Sequence, residues 1–239
     1  MAYSYIDCEV IDIIDETTDV KRFVIKYPEH IELKFKAGQF VMFDLPIDSK
    51  VTNRSYSIAS PPNSENTLEL IIVKNPDGKG TPHLFDNVDV GSILKTSMPI
   101  GKFGLIEPLD HEAVFICTGT GIAPFRSMIL DILNSGKPFK KLTLIAGTRT
   151  QNEILYRSEF EKLHAEVSDF EYIPVLSRET AETWDGVTGY VHKVYEQRYT
   201  EAGTTTFYLC GWAAMLKEAR EKLQQVVLDK KQIRFESYD

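Results

Sequence analysis

The stretch Cys117–Met128, "CTGTGIAPFRSM", passes from one kind of structure to another within a few residues. Up to Gly119, "AVFICTG" is an apolar run that reads as a buried strand, and from Ala123, "APFRSMILDILNSG" reads as a helix closed by Gly136. Between them Gly119, Thr120 and Gly121 make a tight turn, and Pro124 fits the first helical turn, where its missing donor costs nothing. Glycines in such a turn let a ligand approach the backbone, and the helix N-terminus offers unpaired N–H groups to a pyrophosphate. An ordinary strand-to-helix turn has the same ingredients, and the spacing is not G-x-G-x-x-G, so the motif alone does not name a ligand.

Downstream the alternation continues. "LTLIAGT" is a second strand, "NEILYRSEFEKLHAEV" (152–167) an amphipathic helix and "FEYIPVL" a third strand. "TFYLCGW" is a fourth, "AAMLKEAREKLQQVVL" (213–228) a long helix and "IRFES" a last short strand. Strand and helix in turn predict a parallel sheet wrapped on both faces. Upstream the grammar differs. "SYIDCEVIDI", "KRFVIKY", "QFVMFDL", "RSYSIAS", "LELIIVK" and "SILKTSMPI" are short apolar or alternating runs broken by turn signals such as "NPDGKG", and six of them predict an antiparallel β-barrel. The reading is therefore two domains, residues 1–108 as a β-barrel and residues 109–239 as an α/β domain, divided near Pro108.

Composition bounds the function. With 239 residues, 43% hydrophobic and 26% charged, the chain can bury an ordinary core, and it has neither a leader-like N-terminus nor an apolar stretch of membrane-spanning length, which sets a cytoplasmic expectation. A net charge of -8 argues against nucleic-acid binding, so an anionic ligand must be met by local cations or backbone amides. Cys8, Cys117 and Cys210 are too few for an iron–sulfur cluster and the five histidines are scattered, so no metal site is expected.

Two segments of the barrel half carry chemistry. In "RSYS", Arg54 and Tyr56 share one face of a strand while Ser55 and Ser57 share the other, offering a cation, a flat ring and hydroxyls to one ligand. In "GKGTPHLF", Gly80 and Thr81 open what reads as a capped one-turn helix whose amides and hydroxyl can hold phosphate.

Taken in order, "RSYS", "GKGTPHLF", "PIGKFG", "TGTGIAPFRS", "YLCGW" and a terminal "FESY" resemble the ferredoxin–NADP(+) reductase superfamily over essentially the whole chain. The resemblance implies an FAD-binding barrel followed by an NAD(P)-binding α/β domain, in which NAD(P)H passes hydride to FAD and single electrons leave to a carrier such as ferredoxin or flavodoxin. By the same resemblance Arg54 pairs with the flavin phosphate, Tyr56 packs on the isoalloxazine with Ser55 beside it, Ser57 lies near N5, and Gly80 and Thr81 contact the pyrophosphate. Gly119, Thr120 and Gly121 hold the nucleotide pyrophosphate, Cys210 and Gly211 flank the nicotinamide, and Glu236 relays a proton or stabilises the complex. Tyr238 corresponds to an aromatic that stacks on the flavin, although here Asp239 follows it.

For the nucleotide, Ser177 and Arg178 stand where a 2′-phosphate is gripped and Tyr190 on the adenine side, which implies NADPH. Thr188 replaces a lysine of that site, leaving Arg149 or Arg157 to supply the second cation, and NADH stays open. Lys34, Lys36, Lys79 and Lys102 are the cations that could face an acidic carrier. Other readings are an NAD(P)H-dependent flavin or ferric reductase, the reductase component of an oxygenase system, and a non-catalytic nucleotide-sensing module.

Overall fold

A computed structural model describes residues 4–47 and 52–238; the expectation resting on Asp239 lies outside them. The chain divides into two compact units, residues 1–104 with Arg126–Asp131, and residues 105–125 with 132–239.

The first unit holds β1 (Tyr5–Asp15), β2 (Val20–Lys26), β3 (Phe40–Leu45), β4 (Thr52–Ser57), β5 (Thr67–Val73), the helix α1 (Gly80–Asn87) and β6 (Ile93–Ser97). They form one antiparallel sheet in the order β4-β3-β6-β1-β2-β5. The chain beyond β4 closes it on itself, because Ile58 bridges Leu70 of β5 and the Ala59 N–H donates to the Glu69 carbonyl at 2.8 Å. Closure removes the exposed edges that an open sheet would leave. Alternation along the strands points Phe23 and Ile25 of β2, Phe43 and Leu45 of β3, and Leu68 and Leu70 of β5 into one core. Each large apolar side chain buried there stabilises the unit by roughly 1.5–3 kcal/mol. The six expected strands are all present.

In the second unit β7 (Leu109–Thr118), β8 (Phe139–Thr148), β9 (Phe170–Leu176), β10 (Val187–Thr188), β11 (Thr206–Gly211) and β12 (Ile233–Ser237) are all parallel, in the order β10-β9-β8-β7-β11-β12. The helices are α2 (Ala123–Ser135), whose residues 126–131 group with the first unit, α3 (Arg157–Glu166), α4 (Val191–Arg198) and α5 (Ala213–Leu223). Both sheet faces are covered. Val114, Ile116, Phe207 and Leu209 pack with Val191 and Val194 of α4 and with Leu216 and Ala219 of α5. The intervening Phe115 and Tyr208 stack on each other, and Phe115 meets Phe125 of α2. No helix among the described residues is long and apolar enough to cross a membrane.

Several boundaries differ from the sequence reading. The helix expected from residue 152 begins only at Arg157: Thr150 and Glu153 close a capping box around a short 3-10 turn, and Tyr156 then takes a left-handed φ of 53°. Burial of Leu155 and Tyr156 holds that break in place. α5 stops at Leu223, five residues early, where Gln225, Val226 and Val227 fold into a turn and the Ala202 N–H donates to the Val226 carbonyl. α1 has two turns instead of one and carries no side-chain cap. β10 and α4 lie in a polar stretch whose periodicity is weak, and the sequence reading has neither.

Candidate functional site

In the first unit the candidate residues converge through β4. Arg54 is half-buried, donates from Nη1 to the Asn53 carbonyl at 2.9 Å, and lies across Gly80. A β-carbon on Gly80 would stand 3.1 Å from Arg54 Cγ and 3.2 Å from Nε, so the Arg54 side chain packs closely against the start of α1, and a larger residue there would push it outward by a few tenths of an ångström. The Thr81 hydroxyl accepts from the Asn75 N–H at 2.8 Å and donates to the Asn75 carbonyl at 3.3 Å, tying the turn before α1 to the helix. Its donor is therefore engaged within the chain.

Tyr56 leans on Phe43, with ring centroids 5.3 Å apart and planes at 50°. Its hydroxyl is buried with no hydrogen-bond partner among the described residues. Burial pushes the phenol well above its ordinary range, with the Arg54 charge opposing, so it stays protonated. A buried hydroxyl left unpaired costs on the order of 1–3 kcal/mol, and a ligand that pairs with it would remove that cost. Ser57 is buried and Ser55 exposed, although alternation puts them on one side. A guanidinium set against a glycine-started helix, beside a flat ring with an unmet hydroxyl, fits a planar ligand carrying phosphate.

In the second unit, the chain leaves β7 toward β8, β9 and β10 on one side of the sheet, while β11 and β12 lie on the other. The strand order therefore reverses between β7 and β11, and ligands of such sheets bind beyond the carboxyl ends of the strands at that point. The two loops there touch. A β-carbon on Gly121 would stand 2.5 Å from the Cys210 carbonyl oxygen, and one on Gly211, whose φ is 138°, would strike the Thr118 hydroxyl. That hydroxyl accepts the Trp212 N–H at 3.3 Å. Gly119 turns with a φ of 53°, and Gly119–Ile122 forms a 3-10 turn into α2, with half-buried Thr120 in it.

Cys210 is fully buried and in register with Cys117 on β7 and Glu236 on β12. Burial pushes its thiol well above the ordinary range, and the Glu236 charge adds to this while a hydrogen bond with Tyr238 opposes it. Cys210 is thus a neutral thiol at physiological pH, without the thiolate that nucleophilic chemistry requires. The Tyr238 N–H reaches the Gly211 carbonyl at 3.4 Å, so Glu236 of β12 and Tyr238 just beyond it lie beside the end of β11.

Arg149, Ser177 and Arg178 come together at the carboxyl ends of β8 and β9. The Arg178 N–H donates to the Arg149 carbonyl at 2.8 Å, and both the N–H and the hydroxyl of Ser177 donate to the Thr148 carbonyl. Arg178 is exposed, and Arg149 lies 3.9 Å from a Glu153 carboxylate oxygen. Thr188 pairs with Leu176, and Tyr190, 72% exposed, follows it at the start of α4. Arg157 is engaged by Glu161 at 2.7 Å and by the ring of Trp184.

Three features here escape the sequence reading. Thr118 joins the two loops, and only its place before Gly119 marks it. Trp212 ends the motif "YLCGW", where its residue type alone suggests no role. A half-open hollow at the ends of β7 and β8 is lined by Gly119, Ile122, Gly147, Thr148, Leu155 and Tyr172, and the Tyr172 hydroxyl is buried with no partner among the described residues. Away from these ends, His192, Glu196 and Glu218 bring three metal-capable atoms within 4.8 Å of one another, but both carboxylates are bridged by the Lys222 ammonium.

Comparison with known proteins finds two matching families. Residues 7–104 match the oxidoreductase FAD-binding domain family and residues 115–221 the oxidoreductase NAD-binding domain family. The chain is 32% identical to the phenol hydroxylase P5 protein of Acinetobacter pittii over 96% of its own length and 64% of that protein. It is 31% identical to a component of the Na(+)-translocating NADH-quinone reductase of Shewanella putrefaciens, covering 80% of this chain and 75% of the relative. In fold it is similar to a ferredoxin NADP+ reductase from Neisseria gonorrhoeae, solved with bound FAD and NADP, with a TM-score of 0.83 at 24% identity over 99% of both chains.

Proposed function

The chain belongs to the ferredoxin–NADP(+) reductase superfamily, and on that premise we propose that it is an FAD-dependent oxidoreductase taking reducing equivalents from NADPH and passing single electrons to a ferredoxin- or flavodoxin-type carrier. The observation that carries the proposal is the pair of loops at the switch point, where Gly121 and Gly211 stand at positions that a side chain would close. We assign flavin binding to residues 1–108 and nucleotide binding to residues 109–239, in the cytoplasm, in keeping with three free buried cysteines.

Bound FAD would supply the conversion between two-electron nicotinamide chemistry and one-electron transfer. In the barrel, Arg54 would neutralise the flavin phosphate, Gly80 and the amides opening α1 would hold the pyrophosphate, and the Tyr56 ring and hydroxyl would fix a flat ring. Ser55 and the buried Ser57 would bracket it with hydroxyls. In the α/β domain, Gly119, Thr120 and Gly121 would admit the nucleotide pyrophosphate to backbone N–H groups. Cys210 and Gly211 would border the nicotinamide with a neutral, polarizable wall, and Glu236 and Tyr238 would complete it. Arg178 and Ser177, with Arg149 alongside, would read the 2′-phosphate, and Tyr190 would lie on the adenine.

A second reading is favoured by the phenol hydroxylase relative: a reductase component whose electrons go to an oxygenase. The chain spans 64% of that relative's length, so the remaining third of the relative has no counterpart within these residues. The test is an acceptor comparison with NADPH as donor. Rapid reduction of a ferredoxin, with free flavin slow, supports the proposal; preference for free flavin or ferric complexes would replace it with a flavin or ferric reductase.

A further inference from the structure

Trp212 is 63% exposed, while the chain's other tryptophan, Trp184, is 8% exposed. A tryptophan left in water forgoes a large burial gain. Its place is set from both sides: Gly211 fixes the chain before it, its N–H is held by the Thr118 hydroxyl, and α5 begins immediately after. The backbone is thus pinned, and the indole projects from the loop that meets the Gly119–Gly121 turn. Its Nε1 lies 4.0 Å from where a β-carbon on Gly119 would stand, and makes no hydrogen bond to any described residue. A tryptophan carries one donor and no acceptor, and a wide flat face. An unused donor beside a glycine turn calls for an acceptor-rich ligand with a surface to cover.

We propose that Trp212 is a nucleotide-binding residue, its indole covering the phosphate–ribose stretch of the dinucleotide over the Gly119–Gly121 turn and donating Nε1–H to an oxygen there. This rests on the reading of that turn as the pyrophosphate site, and it deepens that reading by adding a side chain that closes over the ligand from the β11 side. The indole N–H grips oxygens common to NADPH, NADH and ADP-ribose, so Trp212 strengthens all three and selects among none of them.

The experiment is calorimetric titration of the flavin-loaded wild type, Trp212→Phe and Trp212→Ala with NADP+, NAD+ and ADP-ribose, beside intrinsic fluorescence. The expected result is a Kd raised about tenfold in Trp212→Ala for every ligand that binds the wild type, with Trp212→Phe between the two, since the ring remains and the donor is gone. Ligand-dependent quenching of tryptophan emission should be present in the wild type and absent from both variants. Wild-type binding with unchanged Kd in Trp212→Ala would overturn the inference and leave the glycine turn as the site. Failure of all three ligands to bind the wild type would overturn the site reading and this inference together. Unchanged flavin content and unfolding temperature in Trp212→Phe distinguish lost contact from lost fold.

Discussion

Among single residues, the proposed function rests on a few close contacts. Arg54 across Gly80 is one: Arg54→Ala should remove a charge-assisted contact worth roughly 1.5–3 kcal/mol and leave a folded protein that loses flavin on dilution, read as flavin per protein after gel filtration. Full flavin occupancy in the variant would mean that Arg54 does not meet the phosphate. Gly121 is another. Gly121→Ala forces a β-carbon against the Cys210 carbonyl, so it should weaken nucleotide binding more than flavin retention, because the clash falls at the ends of β7 and β11 and not at Arg54, Tyr56 or Gly80. Arg178→Ala should raise KM for NADPH and leave that for NADH nearly unchanged, since only NADPH bears the 2′-phosphate; equal effects on both would exclude Arg178 from that role. Much of this is legible in sequence, because Gly, Pro and Arg at turn positions carry their physical reasons with them. Thr118 and Trp212 are not, because their roles come from two loops that are distant in sequence and adjacent in the sheet.

Among the secondary-structure elements, strands are easier to read than helix ends. The later parts of β7 and β8, Ala113–Cys117 and Leu142–Ala146, are largely apolar because both faces of a parallel sheet are buried there, and a buried strand is the reading that suits them best. Helix boundaries depend on local competition: the capping box at Thr150–Glu153 and the left-handed Tyr156 postpone α3, and tertiary packing of Val226 and Val227 ends α5. The polar edge is held by charge. Glu171 of β9 pairs with Arg198 at the end of α4 at 2.5 Å and with Lys141 of β8 at 3.4 Å. Burial works to raise the Glu171 carboxyl, but the Arg198 hydrogen bond and charge, with Lys141, outweigh it and hold it below its ordinary value of 4.5. The sign follows. A carboxyl depressed in the folded state contributes fully above its ordinary value, and the contribution fades as pH falls through the lower folded value. Glu171→Gln should therefore lower stability by about 1 kcal/mol near neutral pH, a figure kept small because the pair is partly exposed, and the gap to wild type should close on acidification through the carboxylate range. A gap that persisted at the acid end would assign the loss to packing.

Along the full chain, the change from six barrel strands to alternating strand and helix is plain in the sequence, because periods of 2 and 3.6 differ over any run of this length. The strand order, and with it the switch point between β7 and β11, is not, since sequence spacing alone does not say on which side of the first strand the fourth is added. The decisive proposition is that one chain joins a flavin site to a nicotinamide nucleotide site. Its test is the visible spectrum of the purified, flavin-loaded protein during anaerobic titration with NADPH and, separately, NADH. The expected result is a yellow protein, with flavin retained through gel filtration, whose absorbance bleaches with one equivalent of nucleotide per flavin. A protein that takes up no flavin, or a yellow one that neither nucleotide bleaches, would contradict it.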